Sequence, residues 1–411
     1  MSSPRTFKLT NANVVDVNSG TVLGERTIEV DDGRIVEITE STGNPNLSAI
    51  DAKGGFLIPG LIDCHCHVVQ TTSDLAGQTV QSPQYVMAKA YGIMKGMLQR
   101  GFTSVRDCGG ADFGIVRAVE EGIAEGPRIF HCGKALTQTG GHGDFRAAGG
   151  FHDDQSYWAP RISRIADGVN EVRKLARDEI RKNASFIKIM GGGGVASPTD
   201  RIDSDQYSIE EIKAVVEEAS MANIYVAAHA YCSRTVIRAV GNGVRTVEHC
   251  TQMSDDALEV IRDNNAFMVP TLIILRAFAE EGVADGLPPE LVGKIGSNVE
   301  TGLNAIERAQ RLGVKMAYGS DLLGNMHKRQ LEEFVLRSEV VSSAELLRSA
   351  TLVGAELVNR ADSLGQIREG FIADMLVLDS NPLDDIQTLA QPDRNLKTIF
   401  KAGAVVMNRL G

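Results

Sequence analysis

His65 and His67 stand one residue apart at the end of the run Phe-Leu-Ile-Pro-Gly-Leu-Ile-Asp-Cys-His-Cys-His, residues 56–67. The apolar run predicts a buried strand, and alternation along a strand sends both imidazoles to the same side. Neutral imidazoles converging from one strand end are ligands for a borderline divalent metal such as zinc. With eight histidines in the chain, one such pair is a weak signal by itself. Its weight depends on what the ends of other strands bring to it.

Four further runs end in residues of the same kind. Phe186-Ile187-Lys188-Ile189-Met190 leads into four glycines, Gly191 to Gly194. Ala228-His229-Ala230-Tyr231, Glu248-His249-Cys250 and Gly319-Ser320-Asp321 close the others. Taken singly, His229 or His249 could be a core histidine with its ring nitrogens satisfied, and Asp321 could cap a helix. Lys188 is harder to dismiss. A lysine within an apolar run is costly when charged and unpaired. It either snorkels, joins a buried ion pair, or is modified. A neutral amine beside two cations can add carbon dioxide, and the resulting carbamate can bridge two metals as a carboxylate would. Two divalent ions bring four positive charges; a carbamate, Asp321 and a bridging hydroxide remove about three. The small excess suits an oxyanion forming on a substrate carbonyl.

These residues need a scaffold that gathers strand ends. Between residues 59 and 364, eight apolar, β-branched runs alternate with helical stretches. One helix is expected at Ser-Ile-Glu-Glu-Ile-Lys-Ala-Val-Val-Glu-Glu-Ala, opening on Ser208 with an acidic first turn, and another at Gly302–Leu312. The alternation predicts an α/β fold, a (β/α)8 TIM barrel whose strand termini share one rim. An open doubly wound sheet is the competing architecture; no phosphate loop or dinucleotide fingerprint follows the first strand to favour it. Residues 1–58 and 365–411 read as short strands with turns, including a hairpin about Asp32-Gly33. They predict a small β-sandwich domain built from both termini.

Composition narrows the function. The chain has 411 residues, 43% of them hydrophobic, and a net charge of −11. A nucleic-acid partner or an anionic membrane surface is therefore not expected. The first residues, Met-Ser-Ser-Pro-Arg-Thr-Phe-Lys, lack the apolar core of a secretory signal, and no run is long enough to span a bilayer. Six scattered cysteines without a Cys-x-x-Cys pair read as reduced and buried. Together these predict a cytoplasmic protein.

At the residues just named, the chain resembles the amidohydrolase superfamily in its binuclear metal form. Pro-Gly-Leu-Ile-Asp-Cys-His-Cys-His, Lys188, His229, His249 and Gly-Ser-Asp321 carry that likeness. So does Gly-x-Ile-x-x-Gly-x-x-Ala-Asp-Met-Leu-Val-Leu-Asp, beginning at Gly365. Longer runs are similar to the prolidase-like branch, which holds Xaa-Pro dipeptidases, carboxypeptidases and ochratoxinase: Arg-Gly-Phe-Thr-Ser-Val-Arg-Asp-Cys-Gly-Gly, Leu-Thr-Gln-Thr-Gly-Gly-His-Gly-Asp and Lys-Ile-Met-Gly-Gly-Gly-Gly-Val-Ala-Ser-Pro. The resemblance implies that His65, His67 and Asp321 hold one metal, and His229 and His249 the other. Carboxylated Lys188 and a hydroxide would bridge the two ions. It also implies that His142, in the glycine-rich Thr-Gly-Gly-His-Gly-Asp loop, binds a substrate's C-terminal carboxylate.

The expected reaction is hydrolysis of the amide bond of a dipeptide or N-acyl amino acid by the bridging hydroxide, releasing a C-terminal amino acid. Asp321 would act as general base and then acid, and Tyr231, two residues past His229 on the same side, would donate to the oxyanion. Zinc suits the imidazole-rich set. The expected partner is a small amide or dipeptide, and a homo-oligomer accords with the family. The competing function is a mononuclear metal deaminase, which would not need Lys188, or another cyclic-amide hydrolase on the same fold. His131, His152 and His327 show no comparable pattern, and Arg106 with Asp107 reads as a structural pair.

Overall fold

A computed structural model describes residues 5–150 and 159–410 of the chain. Residues 1–4 and His152 lie outside the described residues. The chain is α/β and divides into two compact units, one of Met1–Asp63, Gly96–Ser104 and Phe334–Gly411, the other of Cys64–Lys95 and Val105–Glu333.

The first unit holds an eight-stranded sheet that draws on both ends of the sequence. Phe7–Asp16 pairs antiparallel with Thr21–Asp31, which pairs in turn with Arg34–Thr39. The turn between the last two sits at Asp32 and Gly33, both left-handed (φ 44° and 77°), as a tight hairpin requires. On the other side Phe56–Pro59 pairs with Met375–Leu378, which leads to Leu396–Lys401 and Ala404–Asn408. Alternate residues of these strands fill one core, with Phe7, Leu9, Ile28, Leu57, Met375 and Phe400 almost wholly buried. The rings of Phe7 and Phe400 stack at 5.0 Å.

A seven-stranded parallel sheet follows the order Ser163–Ile165, Ala135–Thr137, Phe186–Met190, Tyr225–Cys232, Thr246–Gln252, Phe267–Val269, Lys315–Met316. A three-stranded sheet runs Leu61–Cys66, Phe102–Asp107, Arg128–His131. Backbone hydrogen bonds join the two at both flanks: Cys64 N donates to Tyr318 O at 2.7 Å, and Ser185 N to His131 O at 2.7 Å. The central strands are buried throughout except at Cys232 and Gln252, the last residues of two of them, which is why they read as continuous apolar runs. Ala135–Thr137 and Ser163–Ile165, three residues each, are additions to the eight strands expected; they are too short to register as apolar runs.

Helices separate most of these strands. Ile209–Met221 starts where the sequence placed it, on a capping box in which Ser208 Oγ accepts from Glu211 N and Glu211 Oε2 accepts from Ser208 N. The six cysteines are free, and five are buried, so none forms a staple. Among the described residues no helix is long and apolar enough to cross a membrane.

Candidate metal centre

Residues paired across a parallel ladder share a face. Lys188 pairs with Ala227, Met190 with His229, and His229 with Glu248. Lys188, His229 and Tyr231 therefore project to the same side by simple alternation, with Thr246 and Glu248 beside them. His249 has the wrong parity: it pairs with Ala230 and would face away. The backbone corrects this. His249 and Cys250 are both left-handed (φ 71° and 51°), and the register shifts between Ala230 and Cys232. This kink turns the His249 ring to the side where His229 already lies, their centroids 4.5 Å apart. Asp321 is left-handed as well (φ 56°), its N–H donating to His65 O at 2.8 Å. Non-glycine residues in this region are strained, and such strain gathers at functional sites.

His65, His67, Lys188, His229, His249, Asp321, Tyr231 and His142 line one cleft. His65 Nε2 and His67 Nε2 lie 3.3 and 3.2 Å from the same oxygen, Asp321 Oδ1. The opposite ring nitrogens are occupied. His67 Nδ1 donates to Gly109 O at 2.9 Å, and His65 Nδ1 meets Glu248 Oε2 at 2.7 Å. With Nδ1 so occupied, each ring turns its Nε2 towards that carboxylate oxygen. A proton or a metal ion must lie among three such atoms at these distances. His249 Nδ1 bonds Thr271 Oγ1 at 2.7 Å and lies 3.7 Å from Asp321 Oδ2, while His229 Nε2 donates to Gly193 O at 3.0 Å. Each of these rings is thus fixed through one nitrogen, as metal-bound histidines usually are.

Lys188 is 2% exposed, and its side chain makes no hydrogen bond or ion pair with the described residues. It is a buried amine inside a cleft lined by histidines. The donor set of four imidazoles, a carboxylate and an amine suits a divalent metal.

Burial pushes the pKa of His229 well below the ordinary imidazole value, and the neighbouring His142 and His249 rings push the same way. His249 is lowered too, again mainly by burial. Both are held neutral, the form that binds metal. Burial opposes ionisation of Asp321, but His65 and His67 overcome it and hold the carboxyl well below its usual range. The Tyr231 phenol is pushed far up by burial and by Asp321, so it remains a hydrogen-bond donor. Its ring stacks on His249 at 5.0 Å. His142 stacks on His229 at 4.0 Å, with Nδ1 against Ser197 Oγ at 2.8 Å.

One residue of this site escaped the reading of the sequence. Glu248, next to His249, is fully buried and takes both His65 and the Arg106 guanidinium, the latter at 2.6 Å. Arg106 and Asp107, expected to pair with each other, have separate partners. Arg106 Nη1 also donates to Thr246 Oγ1 at 3.0 Å, whereas the Asp107 carboxylate accepts from the N–H groups of Val68, Gly109 and Ala111. They are strand neighbours, so their side chains face opposite ways. His131 and His327 do not line the cleft.

The amidohydrolase family model matches residues 56–406. Ochratoxinase of Aspergillus niger is 31% identical over 360 residues, covering 84% of this chain and 75% of that protein. A solved prolidase complexed with N-methylphosphonate-L-proline has a TM-score of 0.96 at 46% identity, over 98% of this chain and 100% of that one. A solved Xaa-Pro dipeptidase with methionine in its active site has a TM-score of 0.87 at 28% identity, over 98% of this chain and 100% of that one.

Proposed function

The chain belongs to the amidohydrolase family and is a hydrolytic enzyme; from that premise we propose that it cleaves the amide bond of dipeptides or N-acyl amino acids and releases the C-terminal amino acid. The observation that carries this reading is the buried, unpaired Lys188 in a cleft with His65, His67, His229, His249 and Asp321. The prolidase with its proline-containing phosphonate and the Xaa-Pro dipeptidase support a dipeptide; ochratoxinase supports an N-acyl amino acid.

His65, His67 and Asp321 would hold one divalent ion and His229 and His249 another, zinc being suited to both, with Lys188 carboxylated between them. Bound there, such ions would make water acidic near neutral pH and polarise a carbonyl. The chain's own groups do the remainder. Asp321 takes a proton from the attacking water and passes it to the leaving nitrogen. Tyr231 donates its phenol hydrogen to the oxygen on which negative charge develops. His142 receives the substrate's carboxylate. Ile274, Phe278 and Leu323 give the cleft apolar walls that displace water from the bond being cut.

Joined at both flanks, the two sheets are read as a (β/α)8 barrel, with the eight-stranded sheet as a composite domain from both termini. The setting proposed is the cytoplasm, with the chain as a homo-oligomer. The test is a panel of Xaa-Xaa dipeptides and N-acyl amino acids, ochratoxin among them, given to zinc-loaded enzyme with bicarbonate. Release of free amino acid and about two ions per chain support the reading. One ion, with ammonia released from cyclic amidines instead, would favour a deaminase.

A further inference from the structure

The loop that follows the Lys188 strand is gripped by one cation. Lys294 Nζ donates to the carbonyls of Gly194, Ser197 and Asp200 at 3.2, 2.7 and 2.8 Å. An ammonium has three hydrogens, and these three bonds use them all. Inside the loop Asp200 accepts from Gly194 N at 3.2 Å and from Gln206 Nε2 at 3.0 Å, and its Oδ1 meets Ser197 Oγ. A carboxylate only accepts, so the Ser197 hydrogen goes to Asp200. Ser197 Oγ must then accept from His142 Nδ1–H, at 2.8 Å. Gln206 Oε1 takes the His142 backbone N–H at 2.9 Å.

The His142 ring is wedged as well as bonded. A Cβ added at Gly194 would fall 2.2 Å from His142 Cε1, so the ring lies directly on loop backbone; it also stacks on His229. Nε2 is its one remaining polar atom. Lys294 itself belongs to the excursion after the Phe267–Val269 strand, which lends Ile274 and Phe278 to the cleft. That excursion is seated a second time by Asp285. Its carboxylate accepts from Ser73 N and Asn325 N, both at 3.0 Å, and its carbonyl from Thr72 Oγ1 at 2.9 Å.

We infer that Ser197, Asp200 and Lys294 are positioning residues that fix the His142 ring for the substrate's C-terminal carboxylate and tie it to the segment forming the cleft wall. This deepens the function proposed above and rests on it. None of the three touches the reacting bond; each acts through His142.

The experiment uses zinc- and bicarbonate-loaded enzyme and a substrate cleaved by the wild type, with the released amino acid and its C-terminal amide as competing inhibitors. Ser197→Ala, Asp200→Asn and Lys294→Met should each raise KM, and the inhibition constant of the free amino acid, roughly ten-fold. Their kcat and metal content should stay at the wild-type level, the mark of lost binding shared by ground and transition states. Inhibition by the amide, which lacks the carboxylate, should not change, and Ser197→Thr should restore the wild-type constants. Wild-type KM in Ser197→Ala and Lys294→Met, or equal weakening of acid and amide, would overturn the inference. A wild type that releases no amino acid from any substrate would instead refute the function on which it rests.

Discussion

One oxygen, Glu248 Oε2, is shared by the Arg106 guanidinium at 2.6 Å and His65 Nδ1 at 2.7 Å, with all three side chains out of solvent. Thr246 Oγ1 donates to the other oxygen at 2.7 Å. The carboxyl is held well below its usual range, against burial, by Arg106 and His65. A charge kept in the interior in this way fixes the tautomer of a candidate metal ligand from behind.

Replacing Arg106 by Met should leave that carboxylate buried without its countercharge. A loss of about 3 to 5 kcal/mol is expected from urea unfolding of the metal-free protein. Glu248→Gln keeps the shape and removes the charge. It should weaken zinc binding by about 10- to 100-fold, read by competition with a chromophoric chelator. Unaltered affinity would mean that His65 needs no partner behind it.

On the function proposed above, Lys188→Ala removes the carboxylated side chain that would lie between the ions. Metal content should fall below two ions per chain, and amide hydrolysis should be lost on every substrate of the panel. Mass spectrometry of gently handled wild type should find a carbon-dioxide adduct on this residue, absent after acid treatment. Full metal loading and activity in the alanine variant would exclude a bridging role.

Tyr231→Phe deletes one hydrogen-bond donor and little volume. A drop in kcat of about 100-fold or more, with small change in KM, is expected if the phenol meets developing charge. A rise in KM alone would assign the tyrosine to ground-state binding.

His131 gives a pH signature outside the cleft. It is 2% exposed, its Nδ1 accepts from Gly133 N, and burial lowers its pKa from 6.5 to about 4. The folded value lies below the unfolded one, so folding excludes a proton. The contribution is fully present above pH 6.5 and is lost as pH falls towards 4, about 3 kcal/mol in all. Unfolding of wild type and His131→Asn at pH 7.5 and 5 should show the smaller acid loss in the variant. Subtracting one from the other cancels the remaining histidines.

Much of the site was legible because the strands carrying it are buried on both faces, which writes them into the sequence as apolar runs broken by a single polar residue. Lys188 and His229 stand out on that ground alone. The Glu248–Arg106 pair was hidden because 142 residues separate the partners, and nothing local distinguishes such a carboxylate from the cap of a strand. Lys294 was hidden for a different reason. Its partners are backbone carbonyls, which have no letter in a sequence. The aim of His249 was predicted without its cause, since alternation alone sends it the other way.

That cause, two successive left-handed residues at His249 and Cys250, has an evolutionary cost. Glycine at position 250 would relax the bend and straightening it would mend the ladder, so drift towards a sturdier protein constantly presses on this step. Straightening would turn the imidazole away from His229. Variants selected for heat resistance alone should therefore tend to lose ions before they lose their fold.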